Sequence, residues 1–288
     1  MNNLHIVTVA TSSKYYFPYL KESCKNNGKD LEVLGFGEKW QGFSWRFLLM
    51  MNYLKSLNPD DIVCFVDGYD VICLRNLNNL KEEFLKIKSR EKCKLIIGME
   101  IHGTIMNKIG SILLFGKCKD LAINAGTYIG YVKDVYEILN NTYNLNPDTK
   151  ADDQLMLTTY CNMSENDIYI DKNSELFLTI VNELNEIDEF IKIDKNEVIY
   201  KETKPFFIHG PSNTYLDNLI IKLGYNYDYK NKIKDLLLKD QSSKKFGQFI
   251  NHIYQHKELI IIIILVLISY FFYLYKNNSK NINYNNIY

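Results

Sequence analysis

Several signatures of common protein classes are missing from this 288-residue sequence. Lysine plus arginine equals aspartate plus glutamate, at 34 residues each, so no basic excess indicates nucleic-acid binding. The six cysteines form no Cys-x-x-Cys pair and no cluster with histidine, which argues against a zinc site. Their scatter favours a reducing compartment, although an even number leaves disulfides open. No internal repeat and no glycine-rich phosphate loop of the Rossmann or Walker type is present.

The two ends of the chain differ in hydropathy. The N-terminus leads directly into a predicted strand, without the basic segment and long apolar run of a signal peptide. Residues 259–275 carry no charge and as a helix would span about 26 Å, near the lower limit for a bilayer core. This pattern predicts a single-pass C-terminal anchor in the lipid bilayer, with the large N-terminal domain in the cytosol. A buried core helix or strand is the alternative.

Composition also predicts the domain boundaries. Residues 1–240 form the folded domain, 241–258 a linker, 259–275 the transmembrane helix and 276–288 a polar, Asn-rich, disordered tail. Within the folded domain, strand patterns alternate with helical patterns, as in Leu4–Ala10, Phe17–Asn26, Leu31–Phe36 and Trp45–Leu57. This alternation predicts an α/β fold with a largely parallel sheet that carries helices on both faces.

The most informative segment is the apolar run Ile62–Val66, followed by Asp67 and Asp70. A short apolar run of this kind predicts a buried strand, and ligands of open α/β sheets bind beyond the carboxyl ends of such strands. Two carboxylates there can hold a divalent cation that in turn binds a diphosphate. An Asp-rich turn is the alternative, since Asp and Gly are ordinary turn residues.

Two further segments strengthen the metal hypothesis. One contains Asn124 and, further along, the acidic pair Asp152-Asp153; the other places His209 after a short apolar run. Together with the first two aspartates, they could converge on one cation and one sugar. The alternatives are helix N-capping for the acidic pair and a hydrogen-bonded strand-end histidine for His209.

Five motifs, in order between residues 4 and 218, resemble the glycosyltransferase domain of the procollagen lysyl hydroxylase family. The resemblance is carried by Leu-Gly-Phe-Gly-Glu-Lys-Trp-Gln-Gly at 34–42, Phe-Val-Asp-Gly-Tyr-Asp-Val at 65–71, Asn-Ala-Gly-Thr-Tyr-Ile-Gly at 124–130, Asp-Asp-Gln-Leu at 152–155 and His-Gly-Pro at 209–211. It implies a GT-A fold with a Rossmann-like mixed sheet, and a UDP-sugar donor. Free-standing viral members of the group exist, and the Asn/Lys/Ile/Tyr-rich composition suits an AT-rich viral genome.

The resemblance also implies roles for individual residues. Asp67, Asp70 and His209 would bind the metal, Mn²⁺ or else Mg²⁺, and imidazole favours the transition metal. The nucleotide and diphosphate would be contacted by Thr8, Trp40, Gly42, Arg46, Tyr69 and Gly210, with Tyr69 stacked on the uracil. Asn124, Asp152 and Asp153 would hold the sugar and the reacting centre.

The implied reaction transfers glucose or galactose from UDP-glucose or UDP-galactose to hydroxylysine or galactosyl-hydroxylysine of a collagen-like protein, or to another glycan acceptor. Two departures from the family pattern leave acceptor and donor choice open. Ser212, Asn213 and Thr214 replace the family's lysine, and Glu100-Ile101-His102 stands where the family has a tryptophan. The alternatives are a catalytically silent, membrane-tethered UDP-sugar binder and a UDP-sugar hydrolase.

Overall fold

The computed structural model describes residues 2–164, 166–195, 197–229, 232–242 and 265–270. The chain divides into two units, Met1–Lys234 and Asp235–Tyr288, and every described strand lies in the first. Most of the predicted linker and the whole predicted tail fall outside the described residues.

Eleven strands and eight α-helices are described in these ranges. The strands are β1 Leu4–Val9, β2 Leu31–Leu34, β3 Ile62–Val66, β4 Val71–Cys73, β5 Leu95–His102, β6 Ile123–Tyr131, β7 Ile168–Asp171, β8 Phe177–Val181, β9 Lys192–Asp194, β10 Glu197–Ile199 and β11 Phe207–His209. The helices are α1 Phe17–Asn26, α2 Trp45–Leu54, α3 Leu80–Glu91, α4 Ile105–Phe115, α5 Val132–Leu145, α6 Asp153–Met163, α7 Asp217–Lys222 and α8 Ile233–Ser242.

Nine of these strands form one mixed sheet in the order β2-β1-β3-β6-β5-β8-β11-β4, with β7 paired to β5. Strand β6 runs antiparallel to both β3 and β5, while β8 is parallel to β5 and β11 is parallel to β8. The carboxyl ends of β1, β3, β5, β8 and β11 therefore lie along one edge of the sheet. This edge is where ligands of open α/β sheets bind.

Alternating side chains of the central strands bury both faces of the sheet. Val7, Val63 and Phe65 belong to an apolar cluster that includes residues of α2, α5 and α6. Their neighbours Ile6 and Cys64 belong to a second cluster with residues of α1 and α3. A strand buried on both faces has a continuous apolar sequence, as Ile62–Val66 does, so the predicted α/β arrangement with helices on both faces is confirmed.

Strand β5 changes its partner partway along its length. Residues 95–98 pair with β7, whereas residues 100–102 pair with β8. The register with β6 also shifts between Ile97 and Gly98. The last residues of β5, Glu100 to His102, thereby extend beyond the end of β7 to the edge where the other strands terminate.

The structure contains elements that the sequence pattern did not predict. These are β4, α4, β9, α7 and α8. Each short strand is three residues long, which is too short to show an alternating pattern. The sequence of α4 is apolar on much of its surface, and its Ile105, Leu113 and Leu114 side chains are exposed, so a one-sided pattern is missing.

The predicted membrane anchor is corrected by the structure. Of residues 259–275, the structure describes only 265–270, which are helical, and the rest of the predicted transmembrane helix lies outside the described residues. Among the described residues, no helix has the length and apolarity needed to cross a membrane. This finding contradicts the predicted membrane localisation through a single-pass C-terminal anchor, together with the orientation derived from it.

Two of the six cysteines are paired. A disulfide joins Cys118, in the loop before β6, to Cys161 of α6, with their Cα atoms 5.7 Å apart. Cys24, Cys64, Cys73 and Cys93 are free and buried. The pairing was left open by the sequence because spacing alone does not show which cysteines meet.

Candidate active site at the carboxyl edge of the sheet

Three predicted metal ligands come together at the carboxyl edge of the sheet. Asp67 follows β3, Asp70 precedes β4, and His209 ends β11, the antiparallel partner of β4. We call these three residues the Asp-Asp-His cluster, and one ligand atom from each lies within 4.8 Å of the others. The His209 Nε2 atom is 3.2 Å from Asp70 Oδ1 and 3.8 Å from Asp67 Oδ2. The turn that holds the aspartates is fixed by backbone hydrogen bonds from Asp67 N to Gly126 O and from Gly210 N to Asp70 O.

The cluster fits a divalent cation on two structural grounds. Asp70 Oδ1 and both ring nitrogens of His209 are buried without a hydrogen-bond partner among the described residues. Buried polar atoms without a partner are rare in folded proteins and call for an explanation such as an ion. The His209 side chain is 1% exposed, whereas those of Asp67 and Asp70 are 22% and 30% exposed, so the cluster opens to solvent on the carboxylate side.

A glycine makes room for this cluster. A Cβ atom on Gly126 would lie 2.3 Å from His209 Cε1 and 2.6 Å from Asp67 Oδ2, closer than real Cβ contacts. Any side chain at this position would therefore displace a ligand atom. The motif at 124–130 contains Gly126 but does not mark it as a site residue, because the need for space appears only when β6 pairs with β3 and His209 of β11 lies close by.

Arg46 of α2 joins the Asp-Asp-His cluster to the acidic pair. Its guanidinium donates one hydrogen bond to Asp67 and another to Asp153, the first residue of α6. All three side chains are largely buried. Burial lowers the pKa of Arg46, but the two carboxylates outweigh it and raise that pKa overall.

Burial dominates the carboxylates on either side of Arg46. It raises the pKa of Asp153 to about 6 even though Arg46 opposes the shift. Burial likewise raises the pKa of Asp67, against the effect of Arg46 and with the help of Asp70. For His209, burial lowers the pKa, but the Asp70 and Asp67 carboxylates reverse the shift and raise it. These directions describe closely spaced charges held in a low-dielectric site.

The structure gives the two adjacent aspartates different surroundings. Asp152 is the N-cap of α6, and its Oδ1 atom accepts a 2.8 Å hydrogen bond from the backbone N–H of Leu155. Asp153 instead points at Arg46 and is buried. Helix capping, the alternative role for the acidic pair, thus explains the hydrogen bond of one carboxylate oxygen of Asp152. The assignment of a catalytic role to either residue stays a prediction.

A second polar group surrounds Glu100 at the end of β5. We call Glu100, His102, Ser111, Asn124 and Gln154 the Glu100 cluster. Asn124 Nδ2 and Gln154 Nε2 each lie 2.9 Å from Glu100 Oε1, and the Ser111 hydroxyl and His102 Nε2 contact Oε2. Burial alone would raise the pKa of Glu100, but these hydrogen bonds lower it overall.

The two clusters adjoin each other through Asn124. Its Oδ1 atom accepts a 2.8 Å hydrogen bond from the backbone N–H of Gly126, the glycine beside His209 and Asp67. Glu100 was visible in the sequence only as a departure from a family motif. A charged residue that ends an apolar strand is a signal that could have identified it, because charged groups are rarely buried unless they are partnered.

The residues predicted to bind the nucleotide lie around the ends of β1 and β3. The Tyr69 hydroxyl accepts hydrogen bonds from the backbone N–H groups of Thr11 and Ser12, at 2.9 and 3.2 Å. Thr8 is fully buried, and its hydroxyl has no partner among the described residues. Gly68 covers it, since a Cβ on Gly68 would lie 3.1 Å from that hydroxyl. The nucleotide roles of Thr8 and Tyr69 stay predictions.

The loop that carries Trp40 and Gly42 packs against the loop before α6. The φ angle of Gly42 is +126°, and a Cβ there would lie 2.2 Å from the carbonyl oxygen of Thr149. Backbone hydrogen bonds from Ser44 to Ala151 and from Trp45 to Thr149 join the same two segments. Trp40 is partly exposed and packs edge to face on Trp45. This arrangement connects Trp40 to the segment that leads into Asp152 and Asp153.

The arrangement can bind a cation at one end and hydrogen-bond a polyhydroxylated molecule at the other. The predicted residues Asp67, Asp70, Arg46, Asn124, Asp153 and His209 are brought together, with Gly210 beside them. Sequence reasoning missed Glu100, Gln154 and Gly126 as site residues. The sequence also provided no reason to assign different roles to Asp152 and Asp153, because adjacent residues of the same type have the same local sequence pattern.

Comparisons with known proteins agree with one family. The profile of the family described as "PLOD GT domain" matches residues 1–233. The Caenorhabditis elegans "Multifunctional procollagen lysine hydroxylase and glycosyltransferase" is 27% identical over 247 residues, which cover 78% of this chain and 33% of that protein. The Drosophila melanogaster "Procollagen-lysine,2-oxoglutarate 5-dioxygenase" is 24% identical over 237 residues, covering 75% of this chain and 31% of that protein.

Among solved structures, similarity is found to a glycosyltransferase involved in the glycosylation of the major capsid of PBCV-1. The TM-score is 0.49 and the sequence identity 13%, with 77% of this chain and 98% of the other covered. The chain spans about a third of the length of the curated relatives it matches.

Proposed function

We propose, because the chain belongs to the PLOD GT domain family, that it is a metal-dependent glycosyltransferase with a GT-A fold. It transfers a hexose, glucose or galactose, from a UDP-sugar to a hydroxyl group. The observation that carries the proposal is the Asp-Asp-His cluster, which lies at the ligand-binding edge of the sheet. Its Asp70 Oδ1 atom and both His209 ring nitrogens are buried without a hydrogen-bond partner in the described chain.

Asp67, Asp70 and His209 would hold the cation, which in such sites acts as a Lewis acid toward the diphosphate leaving group. One nitrogen and two carboxylate oxygens suit Mn²⁺ better than Mg²⁺, because imidazole favours transition metals over hard cations. Gly126 supports this assignment, since it keeps the space between the ligands free of a side chain.

The nucleotide half of the donor would lie at the ends of β1 and β3. Tyr69 would stack on the uracil, with its hydroxyl anchored to the backbone of Thr11 and Ser12. Thr8, Trp40, Gly42 and Gly210 are proposed neighbours of the nucleotide or the diphosphate.

The sugar half of the donor would lie between Arg46 and the Glu100 cluster. Asn124 would orient the sugar, and Asp153 would stabilise positive charge at the anomeric carbon or orient the acceptor hydroxyl. Arg46 would hold Asp67 and Asp153 in place beside the diphosphate, which their hydrogen bonds support. Asp152 is retained as a second candidate at the reacting centre, although its Oδ1 atom caps α6.

The proposed acceptor is hydroxylysine or galactosyl-hydroxylysine of a collagen-like protein. It is suggested by the names of the relatives, which combine procollagen lysine hydroxylation with glycosyl transfer. This chain spans about a third of those proteins. The acceptor is therefore proposed separately from the donor, and the assay below tests the two independently.

A UDP-release assay on the full chain tests the proposal. UDP-glucose and UDP-galactose are each supplied with Mn²⁺, Mg²⁺ or a chelator, with and without a hydroxylysine-containing collagen peptide. We expect UDP release that needs the metal and rises with the peptide. Metal-dependent release of free sugar at the same rate with and without the peptide would indicate a hydrolase instead. A chain that binds neither UDP nor the metal would refute the assignment of the site.

A further inference from the structure

The end of β5 carries a histidine that no role assigned so far explains. We infer that His102, oriented by Glu100, binds a hydroxyl group of the donor hexose and so determines which UDP-hexose is preferred. The inference rests on the proposed function, because it takes the sugar to lie beside Asn124 and Gln154.

The position of His102 follows from the geometry of the strand. Side chains two residues apart in a strand share a face, so His102 lies on the same face as Glu100. Glu100 in turn lies directly opposite Thr179 of β8, and His102 opposite Val181. His102 is therefore one step further toward the open edge of the sheet than Glu100.

The carboxylate of Glu100 fixes the orientation of the imidazole. His102 Nε2 lies 3.1 Å from Glu100 Oε2, and this is the one hydrogen bond of the ring in the described part of the chain. In a neutral imidazole, one nitrogen donates and the other accepts. With the carboxylate accepting from Nε2–H, the Nδ1 atom becomes an acceptor that a sugar hydroxyl can satisfy.

Hydrogen bonding separates the roles of these two buried residues. The Glu100 side chain is 3% exposed and the His102 side chain 8% exposed. Both oxygens of Glu100 are already engaged by Asn124, Gln154, Ser111 and His102. Glu100 is therefore the positioning residue, and His102 is the member of the cluster with an unused hydrogen-bonding atom.

Selectivity between hexoses follows from this atom. Glucose and galactose differ in the direction of one hydroxyl, so a fixed acceptor can match one epimer and not the other. A hydrogen bond that is made to one substrate and missed by another is worth about a tenfold difference in affinity.

The test measures the affinity of the full chain for UDP, UDP-glucose and UDP-galactose with Mn²⁺ by isothermal titration. The variants are His102→Ala and His102→Gln, of which the second keeps an amide donor for Glu100. His5→Gln is the matched control, because His5 Nε2 also contacts a carboxylate, Asp61 Oδ2 at 3.2 Å, but at the opposite end of the sheet.

We expect both His102 variants to bind UDP within about twofold of the unchanged chain. The preferred UDP-hexose should lose about tenfold in affinity relative to UDP, so that the ratio between the two UDP-hexoses falls toward one. The control should change neither value. Thermal melting checks that each variant is folded, and His102→Gln keeps the test valid if His102→Ala does not fold.

An unchanged ratio in a folded His102→Gln variant would overturn the inference while leaving the proposed function intact. Failure of the unchanged chain to bind UDP with Mn²⁺ would refute the proposed function, and this inference with it. The two failures are distinguishable because UDP itself lacks the hexose that His102 is inferred to contact.

Discussion

The Asp-Asp-His cluster and the Glu100 cluster are neighbours with opposite hydrogen-bonding states. In the first, Asp70 Oδ1 and both nitrogens of His209 are buried without partners in the described chain. In the second, both oxygens of Glu100 are engaged, by four different side chains. A satisfied group is a rigid support, whereas an unsatisfied group is a place where a ligand gains free energy by binding.

The comparison also separates what each cluster contributes to stability. Removing Asp70 or His209 from the Asp-Asp-His cluster should affect binding more than folding, because their buried ligand atoms have no hydrogen-bond partner in the described chain. Removing a member of the Glu100 cluster leaves partners unsatisfied and should affect folding as well. Arg46 lies outside both definitions, yet it pairs with Asp67 and connects the first cluster to Asp153.

The largest effect on folding is expected at Arg46. Arg46→Met should lower the free energy of unfolding by about 3–5 kcal/mol, because it leaves the buried carboxylates of Asp67 and Asp153 without their partner. Urea unfolding of the full chain measures this. Arg75→Met is the matched control, since the pair of Arg75 with Glu83 is half-exposed at 3.9 Å, and it should cost at most about 1 kcal/mol. Equal losses of unfolding free energy in both variants would contradict the inference that Arg46 stabilises the fold by pairing with Asp67 and Asp153.

The next effect is expected on catalysis. His209→Ala should reduce transfer by about 100-fold or more, because the Asp-Asp-His cluster then loses its nitrogen ligand and with it the charge stabilisation of the leaving group. The melting temperature of this variant should stay close to that of the unchanged chain. Calorimetric titration of UDP in the presence of Mn²⁺ measures whether the variant still binds UDP through the metal. UDP affinity that stays dependent on metal and equal to that of the unchanged chain would contradict the ligand assignment.

Gly126→Ala tests the same cluster without touching a ligand. The added Cβ would lie 2.3 Å from His209 Cε1, so the imidazole must shift, and metal-dependent UDP affinity should fall about 10–100-fold. Gly110→Ala on α4 is the control, because a Cβ there meets nothing within 4 Å. If both variants bind UDP equally well, the space beside His209 is not needed for the metal.

Asp153, the acidic partner of Arg46, and Glu100 should respond to pH in opposite directions. The raised pKa of Asp153, about 6 against an ordinary 3.8, means that its contribution to stability is complete below pH 3.8 and is lost as the pH rises through about 6. The lowered pKa of Glu100 means that its contribution is complete above its ordinary 4.5 and is lost as the pH falls through the lowered value.

Urea unfolding between pH 3 and 8 can separate these contributions. Asp153→Asn should remove the decline on the neutral side, and Glu100→Gln the decline on the acid side. Identical pH profiles for the two variants would show that Asp153 and Glu100 do not contribute to stability in opposite directions.

The smallest effect is expected at Asp152. Asn caps helices about as well as Asp, so Asp152→Asn should keep the stability of α6, whereas Asp152→Ala should lose about 1 kcal/mol. Transfer rates of the Asn variant then report on the carboxylate alone. We expect them to stay within a few-fold of the unchanged chain, and a loss of about 100-fold, as expected for His209→Ala, would restore Asp152 to the reacting centre.

The sequence predicted the assembly of Asp67, Asp70 and His209 because each ends or adjoins a short apolar strand, and such ends meet at one edge of a sheet. It did not predict Glu100 as a site residue, because its partners come from β5, β6, α4 and α6 and meet only in the folded chain. Helix α4 itself was missed, so Ser111 had no predicted place. The membrane prediction failed because apolar composition was taken as sufficient for a spanning helix.

The disulfide between Cys118 and Cys161 encloses one half of the site in a covalent ring. The two cysteines are 43 positions apart, and Asn124, Gly126, Asp153 and Gln154 all lie between them, whereas Asp67 and His209 lie outside. Closing a ring of this size restricts the unfolded chain by roughly 4 kcal/mol in the chain-entropy model. The segments proposed to hold the sugar are thus kept near one another before folding begins, while all three proposed metal ligands, Asp67, Asp70 and His209, can reach them only as the sheet assembles.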